Sequence, residues 1–134
     1  MNKKLQQILL IDDDNASNFL HSHFIKKAGV AEEIVTQLNG EKALIYLTTK
    51  VDGSFPAPDL VFVDINMPRM NGWEFLEAYN ETEACKENPL KIIMLSTSMN
   101  PDDRERAKGV KEVLEFKNKP LTIQYIEEVV CKYF

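Results

Sequence analysis

The chain has 134 residues, 44% of them hydrophobic and 28% charged, and a formal net charge of −5. That size and balance suit one compact domain with a real core and exclude a disordered or fibrous chain. The acidic balance lacks the basic footprint of a nucleic-acid or anionic-membrane binder, and the two distant cysteines, Cys85 and Cys131, match no metal or redox spacing.

The first residues are too polar for a signal peptide, and the apolar run Ile8–Ile11 is too short to span a bilayer. A cytoplasmic protein with free thiols is expected. Along the chain, short apolar runs alternate with amphipathic stretches. Ile8–Ile11, Leu60–Val63 and Ile92–Leu95 are continuous apolar runs, the pattern of strands buried on both faces of a parallel sheet. Ile34–Thr36 and Val113–Phe116 are more mixed, as strands nearer the sheet edges are.

Between the runs the period turns helical. Ala16, Leu20, Phe24 and Ala28 form one stripe, and Ala43, Leu44 and Leu47 a second. The connection Thr48–Pro58 reads as a surface loop without a function. Trp73, Leu76 and Tyr79 mark the third helix, which starts at Gly72. Pro101-Asp102-Asp103 is the acidic first turn of a fourth, ending at Gly109. Thr122 caps the fifth, whose stripe is Ile126, Val129, Val130 and Tyr133. Five strands and five helices in alternation imply right-handed parallel crossovers and a three-layer α/β/α sandwich.

Polar residues at the C-terminal ends of the strands carry the chemistry, because those ends rim the ligand crevice of an open α/β sheet. The first strand ends in Asp12-Asp13-Asp14, the third in Asp64 and the fourth in Ser96-Thr97-Ser98. The fifth leads to Lys119-Pro120. Two carboxylates ~5 Å apart at an effective dielectric of ~20 repel by ~3 kcal/mol, so three mutual pairs cost on the order of 10 kcal/mol. Lys119 offsets part of that. A hard dication offsets far more, and Mg²⁺ suits an all-oxygen site that keeps waters and admits a phosphate oxygen.

The segment Asp64-Ile65-Asn66-Met67-Pro68-Arg69-Met70-Asn71-Gly72 forms a tight loop after the third strand. With this loop the chain resembles the response-regulator receiver domains of two-component signalling, of the chemotaxis-receiver type. The acidic pair, the D-x-x-M-P-x-M-N-G loop, Ser96, and Phe116 three residues before Lys119-Pro120 all match. Asp13, Asp64, Ser96 and Lys119 follow one another at separations of 51, 32 and 23 residues.

The resemblance implies a flavodoxin-like fold with strand order 2-1-3-4-5, spanning residues 5–134 as a single domain. It makes Asp64 the phosphoacceptor and gives one Mg²⁺ to Asp12, Asp13, Asp64 and the Asn66 main-chain carbonyl. Ser96 and Lys119 then bind phosphoryl oxygens, and Lys119–Pro120 matches the family's cis peptide. Phe116 matches the aromatic that turns when Ser96 gains a phosphoryl partner. Asn66, Thr97 and Ser98 line the water approach and tune the acyl-phosphate lifetime. The implied donor is a histidine kinase or histidine phosphotransfer protein. The implied output is the face of the fourth helix, fifth strand and fifth helix, which would bind a downstream protein or, on activation, a second copy. Neither nucleic acid nor membrane is implied as a partner. With 15 residues after Lys119, no output domain is expected.

Blander readings stand beside these. Asp12-Asp13-Asp14 alone could be an acidic turn capping a helix, and Asp14, or Asn15 in its place, reads as that cap. His21 and His23 point to different faces of one helix and receive no metal role. Met67 and Met70 read as loop packing, and Trp73 as core or half-buried surface. A haloacid-dehalogenase-type phosphatase is the enzyme alternative, with Asp12 and Asp14 as its D-x-D, but Asn15-Ala16 follow where Thr or Val should, and Asp64 is left unexplained. An unphosphorylated receiver used only for binding is a third reading.

Overall fold

In a computed structural model that describes residues 4–97 and 100–134, the elements follow in the order β1 (Leu5–Ile11), α1 (Asn15–Ala28), β2 (Ala31–Gln37), α2 (Gly40–Thr48), β3 (Leu60–Asp64), α3 (Gly72–Asn80), α4 (Glu83–Glu87), β4 (Ile92–Ser96), α5 (Pro101–Lys108), β5 (Val113–Asn118) and α6 (Ile123–Tyr133). All five strands are parallel, in the order β2-β1-β3-β4-β5. This is the flavodoxin-like doubly wound arrangement. No helix among the described residues is long and apolar enough to cross a membrane.

Side-chain alternation along the central strands divides the interior into two cores. Leu9 and Ile11, Val61 and Val63, and Ile92 and Met94 face one side, where α2, α3 and α5 supply Leu47, Phe75, Leu76, Tyr79 and Ala107. Ile8, Leu10, Leu60, Phe62, Ile93 and Leu95 face the other, against Ile25 of α1 and Ile126, Val129 and Val130 of α6. Both faces of β1, β3 and β4 are thus covered, which is why these runs are apolar without a break.

Two expectations need correction. The first helix does not bury Ala16 and Leu20, which are exposed; Asn18, His21 and Ile25 point inward instead. Residues spaced strictly by four drift about 40° around a helix at each step, so 16, 20, 24 and 28 cannot all stay on one narrow face. The 18-21-25 row does stay on one face, but two of its members are polar and hid the pattern. There are also six helices among the described residues, not five. The additional one, α4, is a single short turn capped by Thr82, whose hydroxyl accepts from the Cys85 N–H at 3.2 Å. It buries only Ala84, too little for a periodic signal. The face anticipated from the fourth and fifth helices is therefore α5–β5–α6.

The loop after β3 is closed by short contacts that place Asp64. Asn71 and Glu74 form a reciprocal capping box at the start of α3, at 2.8 and 2.9 Å. The Gly72 N–H donates to the Ile65 carbonyl at 2.9 Å. A Cβ on Gly72 would lie 3.0 Å from the Asp64 carbonyl oxygen and 3.1 Å from the Ile65 Cα, so only glycine lets the chain return this closely. Met67 is buried and Met70 half-buried against the same core. Trp73 is buried too, and its indole N–H donates to Asp103 of α5 at 2.9 Å.

Candidate functional site

The C-terminal ends of β1, β3, β4 and β5 meet at one edge of the sheet. Asp12 follows β1 and Asp64 ends β3, and both are buried, at 3% and 4% exposure. Asp13 is exposed at the crevice mouth. One carboxylate oxygen from each of the three lies within 4.8 Å of the others. Lys119, just past β5, reaches into this group, with Nζ 2.7 Å from Asp12 Oδ2 and 3.6 Å from Asp64 Oδ2.

Each position has a local cause. Asp12 is held by its main-chain N–H to the Gln37 carbonyl at 3.1 Å and by its Oδ1, which accepts from the Asp14 N–H at 3.0 Å. Asp64 Oδ1 accepts from the Asn66 N–H at 3.3 Å. Asn66 itself is exposed above the crevice. Ser96, wholly buried, ends β4, and its carbonyl accepts from the Lys119 N–H at 2.8 Å. The Lys119–Pro120 peptide is cis. Thr97 is exposed just beyond β4, while Ser98 lies outside the described residues.

Phe116 pairs with Met94 across β4 and β5, and Ser96 pairs with Asn118. By alternation, Ser96 and Phe116 then share one face of the sheet, two residues apart in register. Phe116 is half-buried against the core and borders a cavity of about 470 Å³, together with Arg104, Ala107 and Lys108 of α5 and Val113 of β5.

Burial pushes the Asp64 carboxyl up from 3.8 to about 6. The Asp12 charge adds to that and the Lys119 ammonium opposes it, while the Asn66 N–H and the Asp13 charge contribute less, in opposite directions. Burial acts to lower the Lys119 ammonium, but contact with Asp12 and the charges of Asp12 and Asp64 outweigh it, so its pKa is raised. The lysine is firmly cationic. His21, buried beside this cluster, is pushed down by burial against the opposing pull of Asp12, which favours the neutral imidazole.

These residues fit a hard divalent cation. Every donor is oxygen, and the carboxylates converge from three chain positions. Asp12 Oδ2 is buried, and the Lys119 ammonium lies 2.7 Å from it. One ammonium against three carboxylates leaves an excess of negative charge. Asp14 is not part of the cluster. It caps α1, accepting from the Ala16 N–H at 3.1 Å and the Ser17 hydroxyl at 2.9 Å. The D-x-D of the phosphatase alternative therefore lacks its second carboxylate.

A doubly wound sheet with this acidic, lysine-bearing rim defines a signalling receiver. The match to the response regulator receiver domain covers residues 8–130, and the chain belongs to that family. A two-component response regulator from Cytophaga hutchinsonii superposes with a TM-score of 0.87 at 31% identity, covering 97% of each chain. The chemotaxis protein CheY4 of Vibrio cholerae gives a TM-score of 0.76 at 25% identity over 97% of this chain and 99% of that one. A probable methanogenesis regulatory protein, FilR2 of Methanothrix harundinacea, is 29% identical over 123 residues, 92% of this chain and 77% of its own length.

Proposed function

We propose that this receiver domain accepts a phosphoryl group on Asp64 from a phosphohistidine and passes the signal on by reshaping its α5–β5–α6 face. The single observation that carries this is the buried Asp64 carboxylate, with a lysine at 3.6 Å and two further carboxylates gathered beside it. A Mg²⁺ held by Asp12, Asp13, Asp64 and the Asn66 carbonyl would neutralise oxygens of the incoming phosphoryl group.

In the transfer, an Asp64 oxygen forms a P–O bond as the P–N bond of the donor breaks, and the electron pair leaves with the donor imidazole. The protein's contribution is position and charge. Lys119 pairs with one phosphoryl oxygen, and the Ser96 hydroxyl donates to another. Asn66 and Thr97 border the path of the hydrolytic water, and together with Ser98, which the family resemblance implicates, they set the lifetime of the acyl phosphate. When Ser96 takes its new partner, Phe116, which shares its sheet face, turns from the cavity beside α5 toward the interior. That shift of population alters the surface offered to a downstream protein or a second copy.

The donor is a histidine kinase or a histidine phosphotransfer protein. Incubation with acetyl phosphate and Mg²⁺, followed by mass spectrometry, tests the reading. It expects an adduct on Asp64 that is lost in Asp64→Asn and without the metal. Label on Asp12 would support the phosphatase chemistry, and no label on folded, Mg²⁺-loaded protein would leave a binding module.

A further inference from the structure

The inward face of α1 carries two buried polar side chains one helical turn apart, Asn18 and His21, at 5% and 2% exposure. Asn18 Nδ2 donates to the main-chain carbonyl of Asp12 at 2.9 Å. His21 Nε2 accepts from the main-chain N–H of Leu121, 100 residues away, at 3.2 Å. One bond thus ends at the main chain of the site's first aspartate and the other at the turn that carries its lysine.

We infer that Asn18 and His21 are positioning residues, which use the rigid spacing of α1 to set the distance between Asp12 and Lys119. The inference rests on the proposed phosphoryl transfer for its consequence, but not for its geometry. A lysine side chain has several rotatable bonds, so where its ammonium rests depends on how firmly its main chain is held. Before Lys119, its own N–H is tied to Ser96 of β4 at 2.8 Å. Beyond Lys119, the tie is the Leu121 N–H to His21. Without the second tie the turn keeps only the Ser96 bond and the packing of the buried Leu121 side chain. The 2.7 Å approach of Lys119 to Asp12 then loses one of its two anchors.

The chemistry of the two side chains fits this task. To accept at Nε2, His21 must be neutral and carry its proton on Nδ1. A buried apolar residue of similar size would fill the same space, yet it would leave the Leu121 N–H without an acceptor. Asn18 cannot be exchanged for an aliphatic residue either, since its amide is the donor that holds the Asp12 carbonyl. Two polar groups therefore occupy core positions where packing alone would place leucine or valine.

The experiment compares His21→Leu, which removes the acceptor, with His21→Gln, whose amide oxygen can replace it. Three readouts apply to each folded variant: hydrogen exchange at the Leu121 amide, the ¹⁵N resonance of the Lys119 ammonium, and the rate of labelling by acetyl phosphate. His21→Leu is expected to speed exchange at Leu121, shift the Lys119 resonance and slow labelling about tenfold, since small misplacements of a reacting group have effects of that size or more. His21→Gln is expected to recover most of all three. Thermal melts identify any loss that comes from stability alone, and if His21→Leu does not fold, Asn18→Ala supplies the same comparison from the Asp12 side. An unshifted Lys119 signal and wild-type labelling in His21→Leu would overturn the inference, and so would a His21→Gln as impaired as His21→Leu. If the wild type takes no label, the phosphoacceptor reading falls, and the two resonance measurements still decide the positioning role.

Discussion

Replacing Asp64 by Asn should make the metal-free protein more stable. The Asp64 carboxyl titrates at about 6 in the fold against 3.8 ordinarily, mainly because it is buried. A raised acid value means that the folded state holds the proton more tightly than the unfolded chain. The unfolded chain ionises first as pH rises, so stability falls between pH 3.8 and about 6 and stays lower above it. At ~1.4 kcal/mol per pH unit, the deficit above pH 6 is about 3 kcal/mol. Asn keeps the shape and a hydrogen-bonding oxygen but cannot ionise. A stabilisation of about 2–3 kcal/mol at pH 8 follows, or about 7–11 °C in Tm, at about 2.1 cal/mol/K per residue.

The assay is thermal or urea denaturation of both proteins in a chelator, from pH 3.5 to pH 8. The two curves should converge at the acid end, where Asp64 is protonated in both states, and separate on the alkaline side. Added Mg²⁺ should then raise the wild-type midpoint more than that of Asp64→Asn, because a ligand of the folded state stabilises in proportion to its affinity. A constant offset across the pH range, or a less stable Asp64→Asn at pH 8, would refute the electrostatic account of this site.

Lys119→Met leaves Asp12 and Asp64 buried without their cation and should cost about 3 kcal/mol at pH 8, as measured by urea unfolding. The loss should shrink toward pH 4 as Asp64, raised to about 6 in the fold, takes up its proton; an equal loss at both pH values would point to packing alone. Gly72→Ala forces a methyl against the Asp64 carbonyl and the Ile65 Cα, and a loss of about 1–3 kcal/mol is expected from chemical denaturation. A wild-type midpoint would show that the loop yields freely. Trp73→Phe removes the indole bond to Asp103 and weakens the cation–π contact of the Arg106 guanidinium, 4.8 Å from the ring, two contacts that tie α3 to α5. About 1–2 kcal/mol should be lost, read by circular dichroism because the single tryptophan is gone.

Much of the architecture is written in local pattern. Ile8–Ile11, Leu60–Val63 and Ile92–Leu95 are apolar at every position because helices cover both faces of the sheet, and a buried strand shows this without knowledge of its neighbours. The α1 stripe failed for a physical reason. Its inward row contains Asn18 and His21, and a polar side chain is tolerated in a core when a partner outside the helix takes up its hydrogen bond. The Asp12 carbonyl lies six residues from Asn18, and the Leu121 N–H a hundred from His21. The α4 turn escaped notice because one buried alanine has no period.

The sequence by itself determined which residues reach the C-terminal edge of the sheet, since Asp12, Asp64 and Ser96 each follow an apolar run that must end there and Lys119 follows the mixed fifth strand. Only the tertiary structure decided how they divide the work. It buried Asp12 and Asp64 but left Asp13 at the mouth, set Lys119 nearer to Asp12 than to Asp64, and turned Asp14 away to cap α1. Order along a strand is a property of neighbouring residues. Distance between charges and access to water arise only when four strand ends and a helix meet, and those quantities set the energies of the site.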